Sequence, residues 1–526
     1  MSGTRKKVLW VDDEIEFLRA HIMFLETRGY SVVPVFSGDD AIHHVRQNPG
    51  GFDIVLLDEQ MPGKDGLTTL EELKELAPDL PVVMVTKSEE ERVMEDALGK
   101  KIDGYLTKPV NPSQILAVCK RMIDSKQIIS TQLRQKFVRS YSECRTALAG
   151  SLDASGWVRI YESLVKWDLE LEEVEDEGLR QAQAGQKSDA NAIFANFVME
   201  HYAEWVRETG GRPTFSIDVV EKVLYPRVKE GRKTYFVVLD CMRLDQYLAI
   251  ESLLRTYYSI DRRYYYSILP SSKAFARNAL FGGMYPSEIA AKYPDDWKNL
   301  DDGSASLNKH ERRLLADKLR SLGAKLKVDP PYISVGASAE FQKLQASLAE
   351  VKDAKLVSIV VEFMDLLTHS RSTSSMLKEI APDESAYRSL TKSWFQYSTL
   401  YQVLRDLSQQ DCTVILTTDH GSVFCPRATE VFGVKGLSKN MRYKFGSSVT
   451  CDERHALFLS DPIAFRLPST PRHSTCIIAR ENYFFADPDK FENYRRQYQN
   501  TFQHGGISME EMIVPLAILE PKKTML

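Results

Sequence analysis

From Lys6 onward the chain alternates short apolar runs with stretches of helical period. KVLWV, SVVPV, DIVLLD, PVVMVT and GYLTK read as strands, and EIEFLRAHIMFLETRG, GDDAIHHVRQ, LTTLEELKELA, EEERVMEDALG and NPSQILAVCKRMID as the helices that follow them. Five strand and helix pairs over residues 1–124 predict a doubly wound parallel sheet. DIVLLD and PVVMV are nearly continuous in Val, Ile, Leu and Met, as strands covered on both faces must be. From 125 to 225 the strand signal stops. DSKQIISTQLRQKFVRSYSECRTAL, WVRIYESLVKWDLELEEVEDEGLRQAQAG and KSDANAIFANFVMEHYAEWVRE predict a helical connector, with LELEEVEDE as a solvated helix face. Over 226–526 strands return in KTYFVVLD, YSILP, KLVSIVVEFMD, CTVILTTDH and MIVPLAIL, which predicts a second, larger α/β domain. The fold class expected is therefore multidomain α/β.

Composition narrows the function. The 526 residues are 43% hydrophobic and 27% charged, an ordinary globular balance that excludes a fibrous or disordered chain. A net charge of -5 argues against a globally basic nucleic-acid or membrane-surface binder, so any polyanion site is local. The seven cysteines are odd in number and include no CxxC pair, which favours a reducing cytoplasm. MSGTRKKVLWVDDE has no signal-peptide pattern and no run approaches a membrane span, so the protein is expected to be cytoplasmic and not membrane-embedded.

Candidate chemistry sits at strand ends. Asp12 and Asp13 follow the first strand, Asp58 the third, Thr86 the fourth and Lys108 the fifth. Parallel strands place these residues along one carboxyl edge, where three carboxylates suit a hard cation such as Mg2+ and Lys108 adds fixed positive charge. A metal-bridged aspartate with a lysine and a hydroxyl beside it has the charge distribution that phosphoryl transfer needs. With VDDE, LDEQMPGKDG, VTKS and YLTKPV in register, the segment resembles the CheY-like receiver domain of two-component response regulators. The resemblance implies Asp58 as phospho-acceptor, Asp12, Asp13 and the backbone carbonyl of Gln60 as further metal ligands, Thr86 and Tyr105 as switch residues, and Lys108 as the phosphate-sensing lysine.

In the third segment Asp240 ends FVVLD, Asp365 and His369 lie in EFMDLLTH, Asp419 and His420 in ILTTDHG, and His504 in QHGGIS. Three Asp and three His form a mixed oxygen and nitrogen set that suits zinc or manganese, and six ligands exceed one tetrahedral site. Two cations about 4 Å apart are the natural reading, an arrangement suited to phosphate esters. The spacing D-x3-H, DHG and HGG resembles the alkaline phosphatase superfamily, and DCMRLDQY with ILPSSKAFARNALFGGMYP resembles its PglZ branch. The resemblance implies one metal on Asp365, His369 and His504 and the other on Asp240, Asp419 and His420.

One position departs from that family. Aligned on Pro270 and the Gly283-Met284-Tyr285-Pro286 turn, the nucleophile of the phosphodiesterase members falls on Lys273, a poor phosphoryl acceptor. Three readings stay open: Ser271 or Ser272 substitutes, water held by the metals attacks, or the domain is a binding module without turnover. Ser271 and Ser272 are equally readable as helix caps. Arg243, Arg277 and Asn278 are candidates to steer an anionic substrate, or else are salt-bridged residues at the surface.

The order receiver, connector, PglZ-type domain resembles the PorX response regulators linked to type IX secretion. That resemblance implies a sensor histidine kinase as partner, with a secretion component or a sigma factor downstream. A nucleotide or oligonucleotide is the expected substrate, and phosphorylation is expected to produce a homodimer through the receiver's fourth and fifth helices. No helix-turn-helix follows the receiver, so sequence-specific DNA binding is not expected.

Overall fold

The computed structural model describes residues 5–86, 102–174, 176–208, 210–295, 297, 307–336, 338–433, 440–471 and 473–522. The chain divides into two compact units, Met1–Arg139 and Ser140–Leu526. The helix expected over 89–99 lies outside the described residues.

The first unit is a five-stranded sheet of β1 (Lys6–Val11), β2 (Tyr30–Val35), β3 (Ile54–Asp58), β4 (Val82–Thr86) and β5 (Gly104–Thr107). Its order is β2-β1-β3-β4-β5, and every pairing is parallel. Alternate residues of the same strands feed separate apolar layers. Val8, Trp10, Leu56 and Val83 join one cluster, and Leu9, Val11, Val55 and Met84 the other. Two-sided burial is why these strands are apolar without interruption.

The second unit holds a six-stranded sheet. With β6 (Thr234–Leu239), β7 (Tyr258–Tyr266), β8 (Tyr332–Val335), β9 (Leu356–Val361) and β10 (Thr413–Thr417), the order runs from β7 through strand Ile513–Pro521 to β10, β6, β9 and β8. β10, β6, β9 and β8 are mutually parallel, while Ile513–Pro521 is antiparallel to both of its neighbours. YSILP, expected as a strand, begins where β7 ends at Tyr266. Ser267 to Pro270 are buried but lie outside the strand.

The connector segment contains helices Ser125–Leu148, Ala154–Glu170 and Glu177–Trp205. Trp157, Tyr161, Phe194 and Tyr202 share one apolar cluster with Phe236, Tyr266 and Met509, so this part of the connector is built into the core of the second unit. The acidic run does not form a continuous solvated face, which corrects the sequence reading. The helix ends at Glu170, Leu171 is buried, Glu172 pairs with Arg388, and Asp176 caps the next helix by accepting from the Leu179 N–H. An aspartate able to cap satisfies the orphan amides of a new helix better than it continues the old one. Among the described residues no helix is long and apolar enough to cross a membrane.

Candidate functional site

In the first unit the carboxyl ends of β1, β3, β4 and β5 bring the expected residues together. Asp12, Asp13 and Asp58 form a group of oxygen donors, with Asp12 and Asp58 buried and Asp13 exposed. Lys108 reaches both buried acids, its Nζ 3.0 Å from Asp12 Oδ2 and 2.9 Å from Asp58 Oδ2. Burial raises the Asp58 pKa, and Asp12 adds to this, while Lys108 pulls the other way. An acid that burial disfavours as an anion beside a second carboxylate is stabilised by a cation, and an all-oxygen set is what Mg2+ takes. Thr86 is buried at the end of β4, and Tyr105 on β5 is 43% exposed. Gln60 and Asp13 line one shallow cavity of about 520 Å³ with Met61 and Leu67.

In the second unit β6, β9 and β10 end on one edge. Asp240 follows β6, and its N–H donates to Val361 O at the end of β9, 2.9 Å away. Asp419 and His420 follow β10, and His504 follows strand Thr501–Gln503. Asp365 and His369 lie one turn apart on helix Phe363–Thr373, which places both on one helix face.

Asp240, Asp419 and His420 form a closed group. His420 Nδ1 lies 3.0 Å from Gly421 O, which only accepts, so Nδ1 carries the proton and Nε2 presents a lone pair. That Nε2 is 3.6 Å from Asp240 Oδ1 and 3.6 Å from Asp419 Oδ2. All three atoms are buried without a hydrogen-bond partner. Burial and the neighbouring Asp240 hold the Asp419 carboxyl well above the usual range. Lone pairs converging in a buried pocket repel one another unless a cation lies among them, so these residues fit a divalent metal. Gly421 is required here, since a Cβ would meet Glu510 O at 2.0 Å. That close approach explains the glycine of the DHG motif.

The other group adjoins it, the His420 and His504 rings stacking with centroids 4.6 Å apart. Asp365 Oδ1 lies 3.2 Å from His369 Nε2 and 3.3 Å from His504 Nε2, and the two ring nitrogens are 3.1 Å apart. Burial, with His420 second, pushes the His504 pKa down to about 4, which keeps its ring neutral and available as a ligand. The six residues expected as ligands therefore lie in two adjoining groups.

Comparison with known proteins accords with this geometry. Residues 8–120 match the response regulator receiver domain, 127–206 the PorX response regulator linker domain, and 219–519 the BREX system PglZ alkaline phosphatase-like domain. The chain belongs to the PorX-type response regulators. The receiver segment is 35% identical over 119 residues to the transcriptional regulatory protein BaeR of Escherichia coli O6:H1, covering 22% of this chain and 48% of that protein. It is 31% identical over 117 residues to the transcriptional regulatory protein ResD of Bacillus subtilis, covering 22% and 48%. The chain thus spans about half the length of these curated relatives. A CheY-like receiver domain protein from Methanospirillum hungatei JF-1 aligns at 30% identity over 23% of this chain and 97% of its own, with a TM-score of 0.21.

In this PorX-type regulator Lys273, the residue expected from the sequence to fall at the family's nucleophile position, opens the helical run that continues to Gly282, and its Nζ lies 2.9 Å from Asp365 Oδ2. Burial opposes the ammonium charge, but Asp365 and Asp240 outweigh it and raise the pKa, so the lysine is a cation. Ser272 stands at the N-cap of this run, but neither serine side chain makes a capping hydrogen bond. Ser271 Oγ donates to Gly506 O at 2.8 Å, and Ser272 Oγ is buried without a partner.

The candidate anion-steering residues are buried and internally paired. Arg277 Nη1 lies 2.8 Å from Asp240 Oδ2 and Nε 2.6 Å from Glu311 Oε1. Arg243 forks onto Asp245 at 2.9 and 2.8 Å, with Glu384 at 2.8 Å. Asn278 donates to Ala274 O and Leu307 O. None of the three is at the surface: the two arginines serve as counter-charges to buried acids, and Asn278 satisfies two buried carbonyls. Sequence reasoning also passed over Cys241, whose sulfur lies with Asp365 and His504 in one group of ligand atoms mutually within 4.8 Å. Its place directly after Asp240, in DCMR, was the available signal.

Proposed function

We propose that the receiver, phosphorylated on Asp58 by a sensor histidine kinase, controls a two-metal phosphodiesterase-like output domain that acts on nucleotides or oligonucleotides. The observation that carries this reading is the pair of adjoining ligand groups, Asp240, Asp419 and His420 beside Asp365, His369 and His504. In the receiver, Asp12, Asp13, Asp58 and the Gln60 carbonyl would hold Mg2+, while Lys108 spans two of the acids and Thr86 and Tyr105 respond to the phosphoryl group. In the output domain zinc or manganese would supply charge neutralisation for a phosphate diester and activation of its attacking group. The protein is cytoplasmic and phosphorylation brings two copies together. A role in type IX secretion, with a secretion component or a sigma factor as partner, rests on kinship with the PorX family.

Hydrolysis of bis-p-nitrophenyl phosphate by the zinc-loaded protein, with and without beryllofluoride on Asp58, tests the proposal. Zinc-dependent turnover is expected, changed by beryllofluoride in wild type and not in Asp58→Ala. Zinc binding without turnover would favour a second reading, a phosphorylation-switched nucleotide- or protein-binding module. The Lys273 to Asp365 ion pair at the nucleophile position favours that second reading. Lys273→Thr separates them: a large gain in activity means that the native site lacks its nucleophile, and no change means that another group attacks.

A further inference from the structure

The two ligand groups are not equivalent in charge. Asp365, His369 and His504 offer one carboxylate, and Lys273 lies 2.9 Å from its Oδ2. The lysine contacts Asp365 directly, and Asp240 of the other group acts on it through space. Asp240 and Asp419 offer two carboxylates, and the cation beside them, Arg277, is shared with Glu311 at 2.6 Å and Glu362 at 3.4 Å. The acids around Arg277 outnumber it, burial and Asp240 hold the Asp419 carboxyl well above its usual range, and a divalent cation among these donor atoms relieves that repulsion.

Exposure separates the groups in the same direction. Asp240, Asp419 and His420 are fully buried. In the other group Asp365 and His504 are buried as well, and only the side chain of His369, 56% exposed, opens it to solvent, with that of Lys273 18% exposed beside it. A flexible four-carbon stem at that depth lets the lysine ammonium leave Asp365 for solvent when another cation takes its place.

We infer that Lys273 is a resident counter-ion that makes the two metal sites unequal. The Asp240, Asp419 and His420 site fills first, and the Asp365, His369 and His504 site, in which Asp365 Oδ1 faces the two histidines while Oδ2 carries Lys273, fills second against the lysine's charge. This rests on the metal reading above and adds an order of filling to it. Lys273 is a positioning residue for the metal, acting through Asp365. A change in a group hydrogen-bonded to a metal ligand commonly alters metal affinity by about 10- to 100-fold, which sets the scale expected for Lys273.

The test is zinc stoichiometry of the full chain against buffered free zinc, by equilibrium dialysis and elemental analysis, with Mg2+ in excess to occupy the receiver. Wild type is expected to take up one equivalent of zinc at a free concentration roughly 10- to 100-fold below that needed for the second. Lys273→Met, which keeps the stem and removes the charge, is expected to bring the two affinities together, and Lys273→Arg to keep them apart. His369→Ala is expected to remove the weak equivalent and leave the tight one. Should Lys273→Met fail to fold, Lys273→Gln makes the same comparison. Two equivalents of equal affinity in wild type, or an unchanged ratio in Lys273→Met, would overturn the counter-ion role while leaving the metal reading intact. An absence of zinc from every variant at all concentrations would overturn the metal reading and this inference together.

Discussion

Replacement of Arg442 by Met probes how the His504 loop is held. Arg442 and Glu511 are both fully buried, with Nη2 to Oε2 2.6 Å and Nε to Oε1 3.2 Å. Glu511 also accepts from the Gly506 N–H at 2.7 Å and from Ser508 Oγ at 2.7 Å, which pins the segment directly after His504. Arg442 in turn donates to the carbonyls of Glu481 and Tyr483. Met fills a similar volume but leaves the Glu511 carboxylate without its cation. Removing one partner of a buried pair costs about 3–5 kcal/mol. At roughly 2.1 cal/mol/K per residue, the unfolding entropy of a unit the size of Ser140–Leu526 converts this to a Tm lowered by about 4–6 °C. Differential scanning calorimetry of the full chain reads that shift in the transition of the second unit. The double variant Arg442→Met with Glu511→Leu removes the stranded charge, and is expected to recover much of the loss. A single variant within 1 °C of wild type, or a double variant no more stable than the single, would refute the idea that an uncompensated Glu511 is the source.

Other expectations follow from the same structure. Asn191 accepts from the Met509 N–H at 2.9 Å and donates to Glu510 at 2.9 Å, so Asn191→Ala should cost about 1–3 kcal/mol and speed amide exchange in residues 504–511. Unchanged exchange there would show that helix Glu177–Trp205 does not hold the His504 loop. Burial raises the Asp218 pKa, but the Arg212 fork and the Phe215 N–H outweigh it and hold the carboxyl below its usual value. A depressed folded pKa gives stability that is present above about pH 4 and lost as pH falls through the folded value. The difference in urea midpoint between wild type and Asp218→Asn should therefore be largest near pH 6 and shrink as the pH is lowered toward 2; a constant difference would be inconsistent with this. Chelation of zinc should lower the Tm of the second unit, since a cation bound only to the folded state at about 100 times its Kd adds about 2.7 kcal/mol. Identical melts with and without chelator would count against the Asp240, Asp419 and His420 site.

The sequence alone was enough to place the chemistry at strand ends. Asp12, Asp58, Asp240 and Asp419 each terminate an apolar run, and parallel strands must bring such termini to one edge, so local pattern and topology together dictate which acids meet. The helical character of the connector was legible from its period, but not the break at Leu171, because an acidic run reads as solvated until Asp176 caps a new helix and Arg388 meets Glu172. The roles of the cations were decided only in three dimensions. Lys273 and Asp365 are 92 positions apart, Arg277 and Asp240 37, and Asn191 and Glu510 319. Periodicity encodes whether a position is buried and on which face. Which buried charge it meets depends on how distant elements pack, and the low dielectric of that packed interior strengthens each such meeting.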